Sequence, residues 1–319
     1  MGNHISTHFH LVHHHKKKNH SSSKKIINNP YRFINGRKYF NYKDSIYPLP
    51  VDDEECYRSQ NQHFLFHHIW EENFSSPVKQ ILEKGGKVLD ICCGSGTWLL
   101  EMATEYRRTE FVGVDMIPIF PSEIKPHNSI FIQYDVLNGL PFKDDEFDLV
   151  YIQNSSICFT ESQWKEIVIP EMIRVTKPNG WIEFMEVELK IENLPKNFEQ
   201  LCDAFIEYGK LHNIDLEIAS HLGNILQTHH LGRLTDFKKE TRKLLYYEKI
   251  DTDINRTGKL IKENIISFYH NISPIILPIL RITQKEYDEI VDTVNINFEK
   301  NKCFNNIYRY YARKKSLEN

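Results

Sequence analysis

Two hydrophobic periods alternate along the middle of this chain. Val88–Ile91 is a short apolar run that reads as a buried strand. Thr97–Tyr106 follows with apolar residues at helical spacing. Glu110–Asp115 (EFVGVD), Ser129–Tyr134 (SIFIQY) and Phe147–Ile152 (FDLVYI) repeat the strand signature. Thr160 with Gln163 three residues on forms a capping-box pattern, opening a helix that carries Trp164, Ile167, Val168 and Met172 on one face. Pro170 is predicted to kink that helix, because its ring clashes with the preceding turn and it has no N–H to donate. Lys177–Gly180 (KPNG) then turns the chain into a fifth strand, Trp181–Val187. Strands alternating with helices predict a mostly parallel sheet covered on both faces.

The flanks carry different patterns. Upstream, 62–74 (QHFLFHHIWEENF) and 77–84 read as short helices. After Lys190 the strand–helix rhythm stops. Phe198, Leu201, Phe205 and Ile206 mark an amphipathic helix, 234–248 a candidate sixth strand, 257–272 and 283–299 two further helices, and 304–313 a last strand. The late helices have no place in the sheet and are assigned as a lid or side wall over the ligand cleft. The predicted division is an arm over 1–30, an aromatic helical segment over 31–84, a ligand-binding core over 85–190, and a C-terminal part over 191–319.

Composition narrows the function. A formal net charge of −3 hides an asymmetry: nine Lys/Arg precede the first acid, Asp44, leaving 31 basic against 43 acidic residues in the rest. An acidic body argues against nucleic acid as the main partner, since phosphate contacts supply most of that affinity. The six cysteines show no CxxC or Cys/His ligand spacing, which points to free thiols rather than a disulfide framework or a metal site. There is no apolar run of 18 residues; Ile275–Leu280 is short and contains Pro278. Residues 1–29 are rich in His, Lys, Ser and Asn and predict a solvated polar tail.

The most informative stretch is VLDICCGSGTWLLEM, Val88–Met102: strand, glycine turn, helix. A helix N-terminus after such a turn presents free backbone N–H groups, which dinucleotides and S-adenosylmethionine both exploit. The dinucleotide fingerprint G-x-G-x-x-G needs a third glycine, and here Gly94 and Gly96 are followed by Thr97, Trp98 and Leu99. No Walker lysine follows either. Asp90 lies at the end of the first strand, where a carboxylate suits a cationic methionine group and repels a pyrophosphate. Asp115 ends the second strand, placed for ribose hydroxyls, and Asp135 follows the third, near an adenine amino group, with Met116 against the ring. Each acid alone reads more readily as a surface or cap carboxylate. Three at the carboxyl ends of three successive parallel strands mark the edge where open α/β sheets bind ligands.

These segments, together with YDVLNGLPF and KPNGWIEFMEVE, resemble the motifs of class I S-adenosylmethionine-dependent methyltransferases. The upstream block NGRKYFNYKDSIYPLPVDDEECYR is similar to a narrower group, the fungal LaeA-like methyltransferases. The resemblance implies a Rossmann-like, seven-stranded, mostly parallel sheet with helical lid insertions in the C-terminal third. It implies Asp90, Cys92, Gly94 and Gly96 on the methionine-binding loop, Asp115 at the ribose, Met116, Asp135 and Val136 at the adenine, and Gln153 on the loop after the fourth strand. It also implies that Tyr39, Tyr47 and Arg58 close over the cofactor. Two positions depart from the pattern. Cys92 replaces the first loop glycine and is expected to be tolerated with a negative φ, since only a positive φ demands glycine. Phe40 stands where the group often has His.

Methyl transfer from a sulfonium is an in-line displacement, so the protein mainly aligns, desolvates and in some cases removes a proton. The catalytic group is left open; Glu186, ending the fifth strand, is the weak candidate for a base. The loop Gln153–Ser156 lacks the N/D-P-P-Y/F pattern of amino-methylating DNA enzymes. The reading is a methyltransferase acting on a small or lipid-like acceptor. The alternative is a cofactor-binding regulator that works through protein partners, and a nicotinamide oxidoreductase stands third. The arm begins M-G-N-H-I-S, which fits myristoylation of Gly2, and Lys16, Lys17, Lys18, Lys24 and Lys25 supply a second membrane signal. A peripheral position on a cytoplasmic membrane face is expected, with a nuclear-import reading of HHHKKK as the alternative.

Overall fold

The computed structural model describes residues 30–41, 47–230, 232–247 and 257–316. Residues 1–29, with Gly2 and the lysine cluster, lie outside the described residues. A small hairpin comes first, β1 (Tyr31–Ile34) and β2 (Arg37–Phe40), then α1 (Asp53–Trp70) and α2 (Lys79–Lys84). The core follows: β3 (Lys87–Ile91), α3 (Thr97–Glu105), β4 (Glu110–Asp115), β5 (Ser129–Gln133) and β6 (Phe147–Gln153). Next come α4 (Glu161–Gln163), a π turn (Trp164–Val168), α5 (Ile169–Val175) and β7 (Thr176–Val187). The remainder is α6 (Lys196–Leu211), α7 (Ile218–His230), β8 (Leu234–Leu245), α8 (Thr257–Leu280), α9 (Gln284–Asp292), α10 (Val294–Lys300) and β9 (Phe304–Lys314).

Seven strands form one sheet in the order β5-β4-β3-β6-β7-β9-β8. The first five are parallel, and β9 runs antiparallel to both β7 and β8. The order reverses at β3, so β4 lies on one side of it and β6 on the other, opening a crevice at their carboxyl ends. β3 alternates its burial: Val88 packs with α3 and Leu149 on one face, while Leu89 and Ile91 pack with Val112, Val150 and the α5 side chains on the other.

Several local features differ from the sequence expectations. The kink at Pro170 is taken up as the π turn: Ile169 donates to Trp164, five residues back, and the widened turn accommodates a ring that would otherwise press on its preceding carbonyl. KPNG is not a turn ahead of the fifth strand but a bulge inside β7, since Phe147 pairs with Thr176 and Leu149 next pairs with Trp181. α1 begins nine residues before the predicted helix, capped by Asp52, which accepts from Glu55 N. Pro274 and Pro278 lie inside α8 rather than ending it. The His270 carbonyl that Pro274 leaves without an N–H accepts from the Ser273 hydroxyl instead (2.8 Å). α7 has no counterpart among the predicted elements; its Gly223 lets it sit against the Tyr310 ring of β9, where a Cβ would lie 2.5 Å from that ring. Among the described residues no helix is long and apolar enough to cross a membrane.

Candidate functional site

A cavity of about 580 Å³ lies at the carboxyl ends of β3, β4, β6 and β7, closed on the far side by α1, α6, β8 and α8. The sheet-end wall carries Cys92, Gly94, Asp115, Met116, Asp135, Val136, Gln153 and Glu186, eight residues expected there from sequence. Asp90 and Gly96 are not in the wall and stand behind it.

The glycine loop folds as it does because three of its residues adopt left-handed backbone: Cys92 (φ 55°), Gly94 (φ 54°) and Gly96 (φ 77°). The expectation of a negative φ at Cys92 is therefore corrected. Cys92 takes the conformation that a glycine takes without penalty and carries the strain of a Cβ there. Gly96 is required twice over, since a Cβ would also meet the Phe131 ring at 2.6 Å. The adjacent Cys93 packs on β4, its Sγ lying 3.0 Å from where a Gly113 Cβ would stand, and all six thiols are free.

Asp115 holds the loop and faces the cavity at once. Its Oδ2 accepts from Gly94 N and its Oδ1 from Ile117 N, both at 2.8 Å. A carboxylate has about four lone-pair positions, so capacity remains for a hydroxyl donor. Burial raises its pKa to about 6, although the backbone N–H bonds work against the shift. Asp135 accepts from Leu137 N through Oδ1, capping a short turn that sets Val136 in the wall. Asp90 is 1% exposed and neither oxygen has a hydrogen-bond partner among the described residues. Burial, with the Asp115 charge as a second cause, pushes its pKa well above the usual carboxylate range. A buried carboxylate without a partner is costly to ionise, and a cationic ligand group nearby would relieve that cost.

At the opposite end the wall turns apolar and aromatic, with Phe66, Phe205, Ile261, Ile265, Phe268 and Tyr269. Tyr47 and Arg58 are in the wall, as the resemblance implied. Tyr39 is not: it is 1% exposed and its hydroxyl donates to Asn271 O (2.9 Å), pinning the hairpin to α8. Arg58 is paired with Glu55, donating Nε and Nη2 to its carboxylate (2.8 and 2.7 Å), and donates Nη1 to Asn264 (2.9 Å). Glu186 is completely buried and accepts from Ser155 N, Ser156 N and the Ser156 hydroxyl, which fixes the loop after β6. Burial raises its pKa to about 7. The α8 contribution is not legible in the sequence because 257–272 shows only a generic apolar face; Asn264 and Phe268 carry no motif.

Among the described residues no cluster of His, Cys, Asp or Glu is arranged to hold a metal. The residues fit S-adenosylmethionine. Asp115 suits the ribose hydroxyls, and the unpartnered Asp90 carboxyl behind the loop ionises readily only beside a cationic group, which an ammonium supplies and a pyrophosphate does not.

Residues 88–180 match the family described as a methyltransferase domain. A secondary metabolism regulator of Cochliobolus heterostrophus is 26% identical over 157 residues, covering 49% of this chain and 50% of that protein. The regulator laeA of Coprinopsis cinerea is 27% identical over 211 residues, 61% of this chain and 52% of that one. A protein of Emericella nidulans named protein-methionine methyltransferase laeA is 27% identical over 177 residues, 55% and 43% respectively. The chain spans about half the length of the curated relatives it matches. A solved cyclopropane-fatty-acyl-phospholipid synthase-like protein from Lactobacillus casei superposes with a TM-score of 0.48 at 13% identity, covering 84% of this chain and 95% of that one. A Haemonchus contortus N-methyltransferase bound to S-adenosylhomocysteine gives 0.45 at 17% identity, covering 81% and 58%.

Proposed function

We propose, from the premise that residues 88–180 are a methyltransferase domain, that this protein moves a methyl group from S-adenosylmethionine to a small apolar or lipid-like acceptor. One observation carries the reading: a single cavity joins a donor end bearing Asp115 and Asp135 to an end walled by Phe205, Phe268 and Tyr269. The cofactor, when bound, supplies an electrophilic methyl on a sulfonium. The chain supplies the rest. Asp115 orients the donor through hydroxyl contacts, and the left-handed loop at 92–96 brings backbone close to it. The apolar wall excludes water and rewards acceptor burial at about 25 cal/mol per Å². The Arg58 charge is already matched by the bidentate Glu55 carboxylate, so this wall offers little net positive charge to an acidic or phosphorylated acceptor.

The test is calorimetry with S-adenosylhomocysteine, followed by transfer of labelled methyl from S-adenosylmethionine to components of cell extract. Binding and a labelled product absent from an Asp115→Ala control support the reading. Binding with no product favours the second reading, a cofactor-binding regulator acting through partners, which the names of the matched relatives favour. No binding removes both. The membrane position of the arm is likewise a proposal, drawn from its sequence, and Gly2→Ala tests it by shifting the protein from the membrane to the soluble fraction.

A further inference from the structure

The polar groups of the apolar compartment are nearly all spent on one another. Glu55 is taken by Arg58 and Asn271. Asn264 exchanges bonds with Arg58, and Asn305 donates to Glu188 O (2.8 Å). Glu186, on the sheet-end wall, is different. Its Oε2 accepts from Ser155 N (3.0 Å), Ser156 N (3.0 Å) and the Ser156 hydroxyl (2.6 Å). Its Oε1 accepts only the shared Ser155 N–H (2.9 Å). With about two lone-pair positions per oxygen, Oε1 keeps capacity for one more donor. The carboxylate is rigidly held, dry and part of the cavity wall.

We propose that Glu186 is a catalytic residue that takes the proton from the hydroxyl of an apolar, phenol-like acceptor. In the step, the acceptor oxygen forms the new O–CH₃ bond as the S–CH₃ bond breaks. Its electrons go to sulfur, giving S-adenosylhomocysteine. The O–H electrons stay on oxygen and the proton goes to Glu186 Oε1. A thioether has no proton to lose, and an amine attacks through its own lone pair, so a fixed carboxylate at this position serves a hydroxyl. Burial brings its pKa to about 7, near working pH, where a general base is most effective. The groups that feel its charge are the Cys158 thiol and the Tyr151 and Tyr310 phenols. Burial raises all three, so they stay neutral and do not compete for the proton near neutrality.

The inference rests on the methyl-transfer reading, so the test separates the two. Full-length protein is first titrated with S-adenosylhomocysteine; no binding there removes the reading itself. It is then supplied with labelled S-adenosylmethionine and a series of apolar phenols including 2-naphthol and para-cresol, whose own hydroxyls stay protonated through neutral pH. The expected result is O-methylation of at least one phenol, with kcat rising through about pH 7. Glu186→Gln should lower kcat by about 100-fold or more, lose that pH limb and keep S-adenosylhomocysteine affinity within about threefold. Ser156→Ala, which removes a hydroxyl bond that holds the Glu186 pKa down, should keep the limb but displace it to higher pH. Cofactor binding without transfer to any phenol overturns the proposal. So does a Glu186→Gln variant that retains either its turnover or its pH limb, or a Ser156→Ala variant that loses the limb.

Discussion

Replacing Cys92 tests whether the cofactor loop is held under backbone strain. The residue sits at φ 55°, a region that costs a non-glycine residue about 1–2 kcal/mol. Cys92→Gly removes that cost. Against it stand about 0.4–1 kcal/mol of added freedom in the unfolded chain and the buried Cβ and Sγ contacts, at about 0.8 kcal/mol per methylene-sized group. The opposing terms nearly cancel, and the glycine variant should lie within about 1 kcal/mol of wild type. Cys92→Ala keeps the strain and loses the sulfur, so it should fall below wild type by about 0.8 kcal/mol. Cys92→Val adds a branched side chain to the left-handed backbone and should be the least stable. The diagnostic quantity is the gap between glycine and alanine, read from urea midpoints at unchanged m-value: on unstrained backbone glycine would fall about 1.2–1.8 kcal/mol below alanine, whereas relief at φ 55° should bring the two within about 0.8 kcal/mol, with valine below both. A glycine variant more than about 1.2 kcal/mol below alanine would refute the strained-loop reasoning. Cofactor affinity should stay within a few-fold in the two small variants, and Cys92→Leu should abolish it, because this side chain is part of the cavity wall.

Asp115→Asn removes charge-assisted acceptor capacity worth roughly 1.5–3 kcal/mol, so S-adenosylhomocysteine binding should weaken by about tenfold or more in calorimetry. Wild-type affinity should fall as pH drops through about 6, because protonation of Asp115 removes the ionised acceptor; a flat profile from about pH 5 to about pH 8 contradicts this. The ligand-free fold should respond oppositely. Asp115 and Glu186 have folded pKa values raised to about 6 and about 7, so their stability contribution is full at low pH and is lost as pH rises through those values. Glu186→Gln should flatten the upper part of that decline in pH-dependent urea titrations. Asp90→Asn cannot ionise, so it should weaken cofactor binding and remove this residue's share of the stability lost as pH rises; a variant with intact binding counts against the assigned role.

What the sequence discloses follows from what each residue buries. β3, β4 and β6 are buried apolar runs, and their ends are legible to within a residue or two. The acids at those ends are legible because parallel topology forces successive strand ends to one edge. The start of α1 is not, since its first turns bury Glu55 and Arg58 as an ion pair rather than an apolar stripe. The backbone of Cys92 is hidden because no side chain announces a positive φ at a cysteine. Pro274 and Pro278 suggest that α8 stops before them, but the tertiary packing of Ile272 and Ile276 carries the helix past both. The far wall of the cavity comes largely from α6, β8 and α8, whose contributions depend on long-range packing that no local pattern encodes.

The place of β9 has a consequence for how the molecule is made. This strand, Phe304–Lys314, inserts between β7 and β8, both of which precede it in the chain. During synthesis β3 to β7 can pair and form the donor half of the crevice while β7 still presents an open edge. β8 cannot join the sheet until β9 arrives to bridge it, and with β8 come Leu244 and Tyr246 of the acceptor wall. The nascent chain thus passes through a stage able to grip a methyl donor before it has a compartment to enclose an acceptor. The last of these strands to leave the ribosome is the one that brings part of the far wall of the cavity onto the sheet.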